Sequence, residues 1–273
     1  MKNKLLLLTV LVTMLAVACT RNAITGRSQL SLVSDQEVRS QAVTQYKTFL
    51  SENKVVSASQ SKDAEMVKRV GSRIANAITQ YYTQQGLGKE LEGYQWEYNL
   101  VNSDQVNAWC MPGGKIVVYT GLLPVTQNEA ALAVVLGHEI THAVAKHGDE
   151  RMSEALVQQL GGAALSVALA NKPAETSNMF LQAYDVGSNV GVMLPHSRNQ
   201  EYEADKLGLI YAALAGYNPR EAIPLWERME KMSNGQKPPE FLSDHPAEGN
   251  RIARLQEQMP NALKYYRPMG QSK

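Results

Sequence analysis

The chain has 273 residues, 44% of them hydrophobic, which suffices for a sizeable core in one folded unit. Twenty-seven Lys and Arg face 26 Asp and Glu, leaving a formal net charge of +1. That balance excludes the strongly basic or acidic chains that bind nucleic acid or charged partners through bulk electrostatics.

Residues 1–18 read as an export signal. Lys2 and Lys4 form its basic start, Leu5 to Val17 its apolar core, and small residues precede Cys19. Ala16-Val17-Ala18-Cys19 resembles a bacterial lipobox, with Ala16 where a leucine is usual. The expectation is cleavage before Cys19 and acylation of Cys19, giving a lipid anchor. An ordinary secretory signal followed by a chance cysteine is the alternative. The anchor implies a bacterial cell envelope, periplasm-facing, at the outer membrane. Of the two cysteines, Cys110 is then left to pack as a small apolar residue in a strand, a Cys19–Cys110 disulfide being the other option.

Residues 19–33 read as an extended tether with a turn at Thr25-Gly26. Ser34 to Leu50 and Asp63 to Tyr82 carry helical periodicity, and Tyr94 to Val101 alternates like a strand. Val106 to Met111 and Lys115 to Thr120 read as two strands joined by Pro112-Gly113-Gly114. Thr126 and Glu129 form a capping-box pattern before a helix over Ala130 to Ala145, with Gly148 as its stop. Helices continue from Asp149 to Ala170. The apolar run Gly161 to Ala170 is too short for a membrane crossing, which needs roughly 20 residues. Lys172 to Leu194 is irregular and suits a movable lid. A helix through Glu201 ends at Gly216, Asn218-Pro219 opens another, and Asp244-His245-Pro246 opens the last.

His138-Glu139-Ile140-Thr141-His142 falls in the middle helix. One turn apart on a helix, His138 and His142 share a face, the arrangement two imidazoles need to bind one zinc ion. Glu139 is placed to act as general base on a metal-bound water. Two ligands are too few for a catalytic zinc, which takes three and keeps one position open. His147 points away from the metal face at roughly 100° per residue and reads as a helix-end histidine. Glu201 fits better. Asp205 lies one turn later on its face and can hold the outer nitrogen of a ligand histidine, whereas Glu203 points to the opposite side.

These segments resemble the HtpX-type and CaaX prenyl protease-type gluzincin zinc metallopeptidases, nearest to their lipid-anchored LoiP- and BepA-like members. The resemblance rests on His138 to His142, Glu201 with Asp205, Asn107-Ala108-Trp109 with Pro112-Gly113-Gly114, and Asp244-His245-Pro246 with Arg251-Ile252. It runs from about Leu30 to Met259. It implies an α+β, mostly helical zincin-type domain over 34–273, with a small antiparallel sheet beside the active-site helix. It also implies zinc on His138, His142 and Glu201. A sheet edge along the cleft would take a peptide as an added strand.

The activity so implied is endopeptidase cleavage of misfolded or damaged cell-envelope proteins, with Glu139 as base. The other class kept open is an assembly or chaperone lipoprotein whose zinc site binds clients without cutting them. By the same resemblance His245 is the candidate to stabilise the oxyanion, or to occupy the open zinc position at rest; a purely structural role is the plainer reading. Arg198 and Arg251 can orient carboxylates or substrate, and His196 reads as structural.

Overall fold

The computed structural model describes residues 19–160, 183, 197–233, 240–245 and 251–270. The leader, His196 and, apart from Ala183, the expected lid over 172–194 lie outside the described residues.

The architecture is α+β and mostly helical, as expected. A hairpin of β1 (Cys19–Arg21) and β2 (Ser28–Leu30) leads into α1 (Asp35–Glu52), β3 (Val55–Val56) and α2 (Lys62–Gln84). Ser34 and Glu37 close a capping box at the start of α1, and Ser61 caps α2. Strands β4 (Glu97–Val101), β5 (Ala108–Met111) and β6 (Lys115–Tyr119) follow, and β3 joins them in a sheet of order β3-β4-β6-β5. The β3–β4 and β5–β6 pairs are antiparallel, whereas β4 and β6 run parallel with Leu100 opposite Val118. Gly113 and Gly114 turn the β5–β6 hairpin at φ +81° and +82°, and a Cβ on Gly114 would collide with the Trp96 ring.

All five β6 residues are buried, so the sheet is covered on both faces. Ile116 and Val118 point into the larger core with α2, the active-site helix and the later helices. Val117 and Tyr119, with Trp109 and Met111 of β5, point into a second core against α1 and α5 (His147–Leu160). Cys110 is a buried free cysteine in β5, so the disulfide option falls away.

After the short α3 (Leu123–Thr126) comes α4 (Glu129–Val144), the active-site helix. Its cap is not Thr126, which ends α3; the Asn128 side chain accepts from the Ala131 N–H instead. Nor does Gly148 end it. Lys146 turns the chain in the left-handed region at φ 57°, and Gly148 lies inside α5. α6 (Arg198–Leu214) opens on a Ser197–Gln200 capping box. Asn218 caps a 3-10 turn that leads into α7 (Ala222–Ser233), followed by α8 (Glu240–Asp244) and α9 (Arg251–Leu263). His245 therefore follows a short helix and does not open the last one. Among the described residues no helix is long and apolar enough to cross a membrane.

Residues 19–33 are not a free tether. The Asn22 amide donates to the Ala145 carbonyl at 2.8 Å and to Gln29, and the Leu32 N–H donates to Ser153 Oγ at 3.0 Å. The hairpin is thus docked where α4 passes into α5.

Candidate metal and catalytic site

Two helices crossing at glycines build the site. A Cβ on Gly137 of α4 would lie 2.6 Å from the Gly208 carbonyl oxygen of α6, and one on Gly208 would lie 2.8 Å from the His138 nitrogen. Only two glycines allow backbones this close, and the crossing brings His138 and His142 against Glu201.

His138, His142, Glu201 and His245 each offer one ligand atom, and these atoms all lie within 4.8 Å of one another, buried. His138 Nε2 is 3.1 Å from His142 Nε2 and 3.5 Å from Glu201 Oε2, while His142 Nε2 is 3.4 Å from Glu201 Oε1. His245 Nδ1 reaches Glu201 Oε1 at 3.0 Å, and its Nε2 lies 3.5 Å from Glu139 Oε1. Three imidazole nitrogens and a carboxylate form the N and O donor set zinc accepts. The expected ligands and base are gathered at one point, and His245 joins them as a fourth donor.

The charges fit a cation. Burial works against a proton on His138, but Glu201 and Asp205 outweigh it and push its pKa up to about 9. The negative field that favours a proton there favours a divalent cation in its place. Burial holds His142 well below the ordinary histidine range and lowers His245 to about 4. Burial alone would raise Glu201, yet His245 and His138 beside it keep it well below the usual carboxylate range.

Asp205 accepts from His138 Nδ1 at 3.0 Å and from Arg251 Nη2 at 2.6 Å. Burial would raise its pKa, but Arg251 and His138 hold it down. Arg251 also lies 3.3 Å from Glu201 Oε2, donates to the His245 carbonyl at 3.2 Å, and stacks 3.5 Å over the Trp226 ring. Its expected work on carboxylates is therefore visible.

Helical phase turns Glu203 away from the donor cluster, as expected, but it misplaces His147. Neither enters the ligand cluster, yet His147 does not point away. It opens α5 with its Nδ1 2.9 Å from His142 Nδ1 and its Nε2 3.0 Å from Glu203 Oε2. A constant turn of about 100° per residue needs one continuous helix, and the bend at Lys146 breaks it. A non-glycine residue in the left-handed region leaves no sequence signal.

The sequence profile of peptidase family M48 matches residues 61–259. The chain is 40% identical over 180 residues to the mitochondrial metalloendopeptidase OMA1 of Arabidopsis thaliana, covering 65% of this chain and 35% of that protein. It is 33% identical over 253 residues to the human mitochondrial metalloendopeptidase OMA1, covering 88% of this chain and 46% of that one. The beta-barrel assembly-enhancing protease of Escherichia coli is 29% identical over 181 residues, with 64% and 36% covered. The chain thus spans half or less of the curated relatives it matches. The bacterial envelope location expected from the leader is overturned by these likenesses, because the relatives matched at higher identity are named as mitochondrial enzymes. The residues that carry zinc chemistry and the matched profile meet at one point: the chain belongs to peptidase family M48, whose members are zinc metallopeptidases.

Proposed function

We propose that the chain is a zinc-dependent endopeptidase. The observation that carries this is the cluster of His138, His142 and Glu201 donors with the Glu139 carboxylate beside it, 3.5 Å from His245. When bound there, zinc supplies a water of pKa near 7 and polarises the scissile carbonyl.

The chain's own residues do the rest. Glu139 holds the proton removed from the attacking water and passes it to the departing amine. His245 supplies a hydrogen bond to the developing oxyanion once substrate displaces it from the donor cluster. Asp205 and Arg251 hold His138 in the tautomer whose Nε2 lone pair faces the site.

Strand β5 is the outer strand on the side packed against α4, so an extended substrate aligns along it. Its four residues are buried, and the Phe241 N–H is bonded to the Val106 carbonyl at 3.1 Å. Substrate entry therefore requires the α8 segment to shift. Backbone pairing with little side-chain demand suits unfolded or misfolded protein as the substrate class. Acylation of Cys19 is part of the same proposal, and Cys19→Ser should abolish acyl-lipid labelling.

The decisive experiment is Glu139→Gln. Casein cleavage should fall by about 10²-fold or more, as expected for loss of a general base, with zinc content retained. Unimpaired cleavage by the zinc-loaded variant refutes Glu139 as the base, and absence of cleavage by the zinc-loaded parent leaves the client-binding reading.

A further inference from the structure

A line of side chains, buried at His142 and His147 and partly exposed at Glu203 and Arg27, runs outward from the back of His142 to the N-terminal hairpin. His142 Nδ1 meets His147 Nδ1 at 2.9 Å, and His147 Nε2 meets Glu203 Oε2 at 3.0 Å. Glu203 then accepts from Arg27 Nε, at 3.0 Å to one oxygen and 3.2 Å to the other. Arg27 Nη1 and Nη2 grip Glu150 at 2.5 and 2.6 Å, and Gln200 Nε2 donates to Glu150 at 2.7 Å. His147 is fully buried, and Arg27 sits in the turn between β1 and β2.

The proton positions along this line have one consistent solution. His142 offers a metal its Nε2 lone pair only if its proton is on Nδ1. That proton has one partner in the line, His147 Nδ1, which must then be an acceptor. His147 therefore carries its proton on Nε2 and donates it to Glu203. Glu203, acceptor only, is held by Arg27, donor only. Every link has one donor and one acceptor.

We propose that His147, Glu203 and Arg27 are positioning residues for the metal site. They fix the ring and tautomer of His142 and make the β1–β2 hairpin a working part of the centre. The inference rests on reading His142 as a metal ligand. The insertion of His147 has a geometric reason. Glu203 is two residues from both Glu201 and Asp205 along α6, so it faces α5 and not the cluster. The left-handed turn at Lys146 returns the chain so that the next residue fills the gap between Glu203 and His142.

The test is zinc affinity of the purified full chain by chelator competition, with the absorption spectrum of the cobalt-substituted protein as a second readout. Glu203→Ala and His147→Phe should each weaken zinc by about tenfold or more, the usual effect of removing an outer-sphere partner, and shift the cobalt bands. Arg27→Gln should weaken it less, and Arg27→Lys, which keeps the charge but not the fork across Glu203 and Glu150, should restore only part of the loss. If His147→Phe fails to fold, Glu203→Gln, of matching shape, carries the test, with a cobalt shift as its expected result. A merely structural role would lower the melting midpoints of zinc-loaded and chelated protein alike and leave affinity and cobalt spectrum as in the parent. That result overturns the relay. Glu201→Ala in the same assay separates the two readings. Zinc lost there, with none lost in Glu203→Ala, removes the relay alone; zinc retained there removes the ligand set itself.

Discussion

The two histidines of the active-site helix sit one turn apart but are supported by different means. His138 is backed directly by a carboxylate, Asp205, which Arg251 anchors from α9 while stacked on Trp226. His142 is backed through an inserted ring, His147, with Glu203 behind it and Arg27 from the N-terminal hairpin as its anchor. Each side ends in a carboxylate and an arginine in series, reached directly from His138 and through a second imidazole from His142. The His138 side draws on helices inside the matched family region, and Arg27 on the His142 side lies outside it. One helix can thus present two equivalent ligands while depending on two different parts of the chain.

The largest effect should come from the anchor of the His138 side. Arg251 is buried among Asp205, Glu201 and the His245 carbonyl. Arg251→Ala leaves buried Glu201 and largely buried Asp205 without their cation, which costs about 3–5 kcal/mol. The drop in melting midpoint should be larger in chelated protein, where no metal offsets the exposed charge. Arg251→Lys should rescue little, because an ammonium cannot bond three ways and stack on Trp226 at once. An unchanged midpoint in both variants would refute the series arrangement. Asp205→Ala comes next, with zinc affinity falling by about 10- to 100-fold; parent-like affinity in that variant would deny Asp205 its hold on His138.

How much of this the sequence disclosed differs between the two sides. His138, His142, Glu139, Glu201 and Asp205 were legible because helical periodicity converts spacing into a shared face. Arg251 was legible only as a cation near the site, since its partners come from three other segments. His147 was misread because that periodicity was carried through Lys146, where the helix ends, while Glu203 was placed on its proper face but without its partners. The hairpin over residues 19–30 looked like a tether. Its docking depends on Asn22 and Arg27, polar residues whose partners lie more than a hundred residues away. The parallel β4–β6 pair was equally hidden, because strand direction across a crossover leaves no local mark.

The helix crossing offers a smaller perturbation of the His138 side. Gly137→Ala puts a Cβ against the Gly208 carbonyl, and neither backbone can yield without moving a whole helix. The expected loss is about 1–3 kcal/mol, as for overpacking, against a gain in helix propensity of roughly 1 kcal/mol. Because the displaced helix carries both histidines while Glu201 stays on α6, zinc affinity should fall as well. Gly208→Ala should act alike, its Cβ meeting the His138 backbone. Alanine variants that keep parent stability and affinity would show the crossing to be looser than drawn.

The smallest expected effect concerns the turn that seats His147 on the other side. Lys146 adopts φ 57° and pairs with Asp35 at 2.7 Å and Glu90 at 3.6 Å. Lys146→Ala and Lys146→Gly both delete those pairs, each worth at most about 1 kcal/mol at a partly exposed site. They differ in the backbone alone. Alanine must bear the left-handed strain, whereas glycine is free of it but loses more entropy on folding. The strain outweighs the entropy, so the glycine variant should be the more stable of the two by about 1 kcal/mol, read from denaturant midpoints. Zinc affinity should stay at the parent value in the glycine variant, because His147 depends on the path of the chain and not on the lysine charge. An alanine variant as stable as the glycine one would mean that the strain is relieved elsewhere. The bend at Lys146 would then not be what delivers His147 to His142.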